Sequence, residues 1–133
     1  MSQPTPTDGE LAILRVLWSR AAPMTVREVH EVLSRGKDTA YTTVLKMLTI
    51  MAEKGLVHRD ESERSHSYRA LYEEPTVQSS LLRDLMRRAF SGSALTLVQR
   101  ALDDEIASEE DLDAIERLIA QARANAKSKG KPS

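Results

Sequence analysis

Thr42, Thr43 and Lys46 are spaced so that, on a helix, they share a side away from the neighbouring apolar residues. Each threonine offers a hydroxyl and a methyl group, which suit base acceptors and the methyl of thymine. Lys46, one turn on, reaches a guanine edge or a phosphate. A helix fits the major groove of B-DNA with its N-terminal residues at base edges, and each good contact discriminates by about 1–3 kcal/mol. Taken alone, three polar residues opposite an apolar stripe equally describe an ordinary solvated helix face. A second group surrounds a polar loop: Arg64, Ser65, His66 and Ser67, flanked by Arg59 and Arg69. With Thr39 and Tyr41 these residues suit phosphates, contacts that position a protein and carry little sequence information. Asp60, Glu61 and Glu63 in the same loop oppose that use unless they turn away, and an ordinary charged hairpin loop is the competing reading.

Other chemistries find less support. The chain has no cysteine, which removes disulfides, thiolate metal sites and cysteine nucleophiles. The three histidines show neither H-x-x-x-H nor H-E-x-x-H spacing, although His58 and His66 lie on or beside facing hairpin strands. The acidic runs Asp103-Asp104-Glu105 and Glu109-Glu110-Asp111 have no nucleophile or metal ligand beside them, and helix capping explains them. No phosphate-cradling glycine loop or nucleophile elbow is present. No catalytic residue, metal or cofactor is expected.

The positioning elements follow from pattern. Thr7-Asp8-Gly9-Glu10 and Thr25-Val26-Arg27-Glu28 both have capping-box spacing. Leu11, Ile13, Leu14, Leu17 and Trp18 form the stripe of a first helix, and Val26, Val29, Val32 and Leu33 that of a second. Ala22 to Met24 leaves room for one short strand. Asp38 or Thr39 is the expected cap of a third helix, which places Tyr41, Val44, Leu45, Leu48, Met51 and Ala52 inward and ends at Gly55. Residues 56–59 and 67–72 read as two strands of a hairpin. The order helix, helix, helix, hairpin is that of a winged helix-turn-helix.

After Glu73-Glu74-Pro75 the character changes. Thr76 is the expected cap of a helix, Ser91-Gly92-Ser93 its break, and two further helices follow, the last starting at Ser108. The fold class is mostly α: a winged helix over residues 1–74, a three-helix region over 75–126 and a disordered basic tail over 127–133. Three short helices with broad apolar faces bury too little surface to stand well alone. Packing against a second copy offsets this, through Leu81, Leu85, Phe90, Leu95, Val98, Leu102, Leu112, Ile115 and Ile119. A two-fold dimer also spaces two recognition helices to suit a palindromic duplex. Packing back onto the first domain is the alternative.

Composition bounds the rest. At 133 residues, 41% hydrophobic and 29% charged, the chain is globular in type, and its 4% aromatic content demands an aliphatic core. Net charge is −1, with ten basic and nine acidic side chains in residues 1–72 and nine and eleven in 73–133. That balance neither supports nor opposes a nucleic-acid partner, because distribution outweighs the sum. The start is polar and no stretch is apolar enough to span a bilayer, so a cytoplasmic protein without membrane insertion is expected.

Leu17-Trp18, Thr25-Val26-Arg27-Glu28-Val29, Ala40-Tyr41-Thr42-Thr43-Val44 and Lys54-Gly55-Leu56-Val57, with Arg59 and Tyr68, closely resemble the penicillinase-repressor (BlaI/MecI/CopY) family. Order and spacing match over about residues 7–72, and the helical tail matches in kind to about 125. The resemblance implies a homodimeric winged-helix repressor of palindromic double-stranded DNA operators, with residues 40–51 as the recognition helix. In the antibiotic-sensing branch it implies a membrane-bound sensor protease as partner, with cleavage at an Asn-Phe bond in the dimerisation helices. The equivalent stretch here, residues 93–98, holds no such bond. The copper-responsive branch uses C-terminal cysteine pairs, which this chain lacks. The rivals from other classes are a winged-helix protein–protein adaptor without DNA binding, and an enzyme built on the acidic cluster at 103–111.

Overall fold

Two capping boxes start the molecule. Thr7 Oγ1 accepts the Glu10 backbone N–H at 3.2 Å while the Thr7 N–H donates to Glu10 Oε1 at 2.9 Å, opening α1 (Asp8–Trp18). Thr25 and Glu28 repeat the exchange and open α2 (Val26–Gly36). Each box satisfies two backbone N–H groups that would otherwise lack helical partners. The computed structural model describes residues 4–130. Between the two helices lies β1 (Met24–Thr25), and after them α3 (Tyr41–Lys54), β2 (Val57–Asp60) and β3 (Ser67–Ala70). The sheet is antiparallel in the order β1-β3-β2, with Met24 opposite Tyr68 and Val57 opposite Ala70.

The core is aliphatic, as the composition requires. Ile13, Leu14 and Leu17 of α1, Val29 of α2, and Val44, Leu48 and Met51 of α3 close over Met24, Leu56, Val57 and Tyr68 of the sheet region. Gly55 takes φ 81°, and the Leu56 N–H then turns back to the Met51 carbonyl at 2.9 Å. This left-handed ending aims the chain from α3 straight into the wing. Glu10 is the one buried charged residue among those described, and Lys54 Nζ meets its Oε1 at 2.7 Å. The pair ties the start of α1 to the end of α3.

Three expectations need correction here. The cap of α3 is Ala40, with no side-chain hydrogen bond, in place of Asp38 or Thr39. The Thr39 hydroxyl donates instead to the Lys37 carbonyl at 3.0 Å, and the Thr39 carbonyl accepts from His30 Nε2 at 2.7 Å. Tyr41 and Leu45 do not face inward: they are 45% and 42% exposed. The inward arc of α3 is narrower than its apolar stripe, because Val44, Leu48 and Met51 already fill the space above the sheet.

The chain divides into two compact units, Met1–Asp84 and Leu85–Ser133. The division falls inside α4 (Glu74–Ala89), later than the composition break near residue 75. Glu73 accepts from the N–H groups of Thr76 and Val77, so the helix begins before Thr76 and holds Pro75 in its first turn, where a missing N–H costs little. Val77, 3% exposed, is the buried residue of α4 and lies before the division. In the second unit, Ser91 and Gly92 take positive φ, and α5 (Ala94–Asp103) and α6 (Glu109–Gly130) follow with Ser93 capping α5. The Ser108 hydroxyl accepts the Asp111 N–H at 3.1 Å, which starts α6 where expected. α6 continues to Gly130, so residues 127–130 are helical rather than a disordered tail. Its Ala, Gln, Arg and Lys residues favour helix, and Lys127 and Lys129 suit the negative end of the dipole. Residues 131–133 of the expected tail lie outside the described residues.

Candidate nucleic-acid interface

Val44, Leu48 and Met51, fully buried, fix the rotation of α3 about its own axis. That rotation turns Thr42, Thr43 and Lys46 into solvent, and all three are exposed. Among the described residues their side chains have no hydrogen-bond or ion-pair partner. The next threonine, Thr49, is occupied: its hydroxyl donates to the Leu45 carbonyl at 2.8 Å. The unengaged groups are therefore concentrated in the first turns of α3, the end of a groove-seated helix that meets base edges. Thr39 is half-buried with both its hydroxyl and carbonyl engaged, and Tyr41 sets its ring edge-on to His30 at 5.7 Å between centroids.

The wing sorts its charges. Asp60 accepts the Ser62 backbone N–H at 2.9 Å, and this bond holds its carboxyl below the usual range. Glu61 pairs with Arg59 at 3.0 Å. Arg59 is thus engaged within the wing, which weakens its standing as a phosphate contact. Clefts on either side of the wing loop differ in charge. One, of about 430 Å³, has Arg64, Ser65 and His66 on its wall, faces Tyr41 and Leu45 of α3, and includes Arg27 of α2. The other, of about 270 Å³, holds Asp60 and Glu63, together with Ser67. Arg64 and His66 therefore share the α3 side, whereas Ser67 lies with the acids. Sequence reading missed Arg27 and the outward Leu45. No local signal marks Arg27, which reaches the wing cleft only through the packing of α2, α3 and the hairpin.

The proposed self-association residues form no closed core. Leu95 is 77% exposed, and Leu85, Val98, Leu102, Leu112 and Ile119 are exposed as well. Leu81, Phe90 and Ile115 are half-buried. Among the described residues no group of three or more His, Asp or Glu is placed to hold a metal ion. No described helix is long and apolar enough to cross a membrane.

A helix, a short strand, two helices and a two-stranded wing, with an exposed polar face on the third helix, define a winged helix-turn-helix protein. Residues 6–121 match the penicillinase-repressor family. The chain belongs to that family, whose members are DNA-binding transcriptional repressors and not enzymes. It is 33% identical over 117 residues to the transcriptional regulator BlaI of Mycobacterium tuberculosis, covering 88% of this chain and 84% of that one. To the methicillin resistance regulatory protein MecI of Staphylococcus aureus it is 17% identical over 113 residues, covering 85% and 91%. Among solved structures, the hsRosR-S4 complex aligns over 90% of both chains at 19% identity and a TM-score of 0.52, a likeness of fold.

Proposed function

We propose that this repressor acts in the cytoplasm as a homodimer on a palindromic DNA operator, reading bases through Thr42, Thr43 and Lys46. The observation that carries the reading is the outward, unpartnered state of those three side chains on a helix anchored by Val44, Leu48 and Met51. Arg64 and His66 hold phosphates from the wing. The exposed leucine, isoleucine and valine side chains of Leu85–Ser133 supply the self-association surface, since an apolar area of that kind in water favours a partner. Release by a membrane-bound sensor protease, as the family resemblance implies, needs an accessible segment. The exposed Ser91-Gly92 turn offers one, without an Asn-Phe bond. Recovery of only intact chains from induced cells would count against that route.

The test is footprinting and titration on DNA flanking the protein's own gene. Protection of a two-fold symmetric site is expected, with binding that weakens steeply as salt rises. Thr42→Ala, Thr43→Ala and Lys46→Ala should each reduce preference for that site by about 1–3 kcal/mol. Wild-type protein that ignores this DNA at low salt would overturn the proposal.

A further inference from the structure

The basic cleft between the wing and α3 has a composition that the rest of the surface does not predict. The chain carries 20 acidic against 19 basic residues, yet no acid lines this cleft. Its charged side chains are Arg27, from the first turn of α2, and Arg64, from the wing loop, with His66 beside them. Among the described residues neither arginine has an ion-pair partner, whereas Arg20, Lys54, Arg59 and Arg100 are all paired. The wing's own acids are held elsewhere: Asp60 on Ser62, Glu61 on Arg59, and Glu63 in the opposite cleft. Exposed Tyr41 and Leu45 supply an apolar wall between the two arginines' elements. A basic rim over an apolar wall is complementary to a sugar-phosphate unit, whose sugar edge is apolar and whose phosphate is a bidentate acceptor for arginine.

We infer that Arg27 and Arg64, carried on two different elements, close on one and the same backbone phosphate of the operator, with its deoxyribose against Tyr41 and Leu45. This rests on the DNA-binding reading proposed above and adds Arg27 as a positioning residue. The pair thereby ties α2 and the wing to one point of the DNA backbone. It carries no sequence information itself.

The experiment measures binding to the footprinted duplex and to an unrelated duplex across a salt series, for the wild type, Arg27→Ala, Arg64→Ala, the double variant and Arg27→Lys. One lost phosphate contact lowers the slope of log affinity against log salt by about 0.9. Each single alanine variant keeps the other arginine on that phosphate, so it is expected to weaken both duplexes by the same factor, to leave the ratio between them unchanged, and to keep most of the slope. The double variant releases the phosphate and should lose about 0.9, more than the two single losses together. Arg27→Lys keeps a cation there and should bind both duplexes more tightly than Arg27→Ala. A methylphosphonate walked along the operator should meet one linkage per half-site where it costs the wild type and each single variant affinity but costs the double variant nothing. Loss of about 0.9 in each single variant with additive loss in the double, or single variants that lose sensitivity at two different linkages, overturns the shared phosphate and leaves the repressor reading standing. Failure of the wild type to bind either duplex overturns both.

Discussion

The two units of this chain have similar ingredients and opposite outcomes. Both carry amphipathic helices rich in leucine, isoleucine and valine. In Met1–Asp84 those residues meet three helices and a sheet, and Ile13, Val29, Val44, Leu48 and Met51 are fully shielded from water. Past Val77 no described residue is buried, and Leu95, Ile106 and Leu118 stand 77%, 73% and 66% exposed. An apolar stripe is a core only where another element faces it. The first unit contains its own facing elements, whereas the second leaves much of its stripes exposed, which is the physical basis of the proposed dimer.

The largest expected effect lies in the first unit. Leu48→Ala should cost about 2–5 kcal/mol, because α3 cannot collapse into the space above the sheet. Denaturant unfolding of the full chain measures this, and the loss should not depend on protein concentration. A cost under about 0.5 kcal/mol, typical of surface sites, would show that Leu48 is not part of a closed core. The matching change in the second unit is Val98→Asp. It should raise the self-association constant for dissociation at least tenfold, about 1.4 kcal/mol, in sedimentation velocity. Secondary structure should stay intact, and the dependence of melting temperature on concentration should fall away. Identical sedimentation of wild type and variant would break the contrast between the units.

The next effect is smaller and depends on pH. Burial pushes the Glu10 carboxyl up, but the Lys54 hydrogen bond, the Thr7 N–H and the Lys54 charge together outweigh it and hold the group below its usual value of 4.5. A carboxyl whose pKa is lowered by folding stabilises the fold above its unfolded pKa, and that contribution fades as pH falls through the folded pKa. Glu10→Gln should therefore cost about 1–3 kcal/mol near neutral pH and progressively less toward strong acid. A cost that stays constant across that range would mean the charge on Glu10 contributes nothing. The smallest effect concerns the edge of the first unit. Trp18 Nε1 donates to the Tyr72 carbonyl at 2.9 Å, and Trp18→Phe should lose about 0.5–1.5 kcal/mol while keeping most of the packing. Hydrogen exchange should quicken around residues 70–77 if that bond holds the segment, and unchanged exchange there would argue otherwise.

Much of the fold was legible because it rests on local rules. Both capping boxes, the left-handed Gly55, the break at Ser91-Gly92 and the start at Ser108 depend on residues within a turn of each other. The outward tilt of Tyr41 and Leu45 was not legible, since a stripe's width says nothing about how much of it the facing elements cover. The Ala40 cap was missed because His30 and Lys37 hold Thr39 in place of the helix end. Of the candidate interface, the outward α3 residues followed from periodicity, but Arg27 did not, for it joins Arg64 and His66 only through the packing of α2, α3 and the wing.

Sequence alone determined where α1 and α2 begin and where α3 ends, which face of α3 is polar, and that no cysteine chemistry is possible. These follow from hydrogen bonds and periodicities that act over a few residues. Tertiary structure alone decided which apolar residues are enclosed, which charges are paired, and which side of the wing is basic. Those outcomes depend on groups far apart in the chain meeting across space, and no local spacing encodes that meeting.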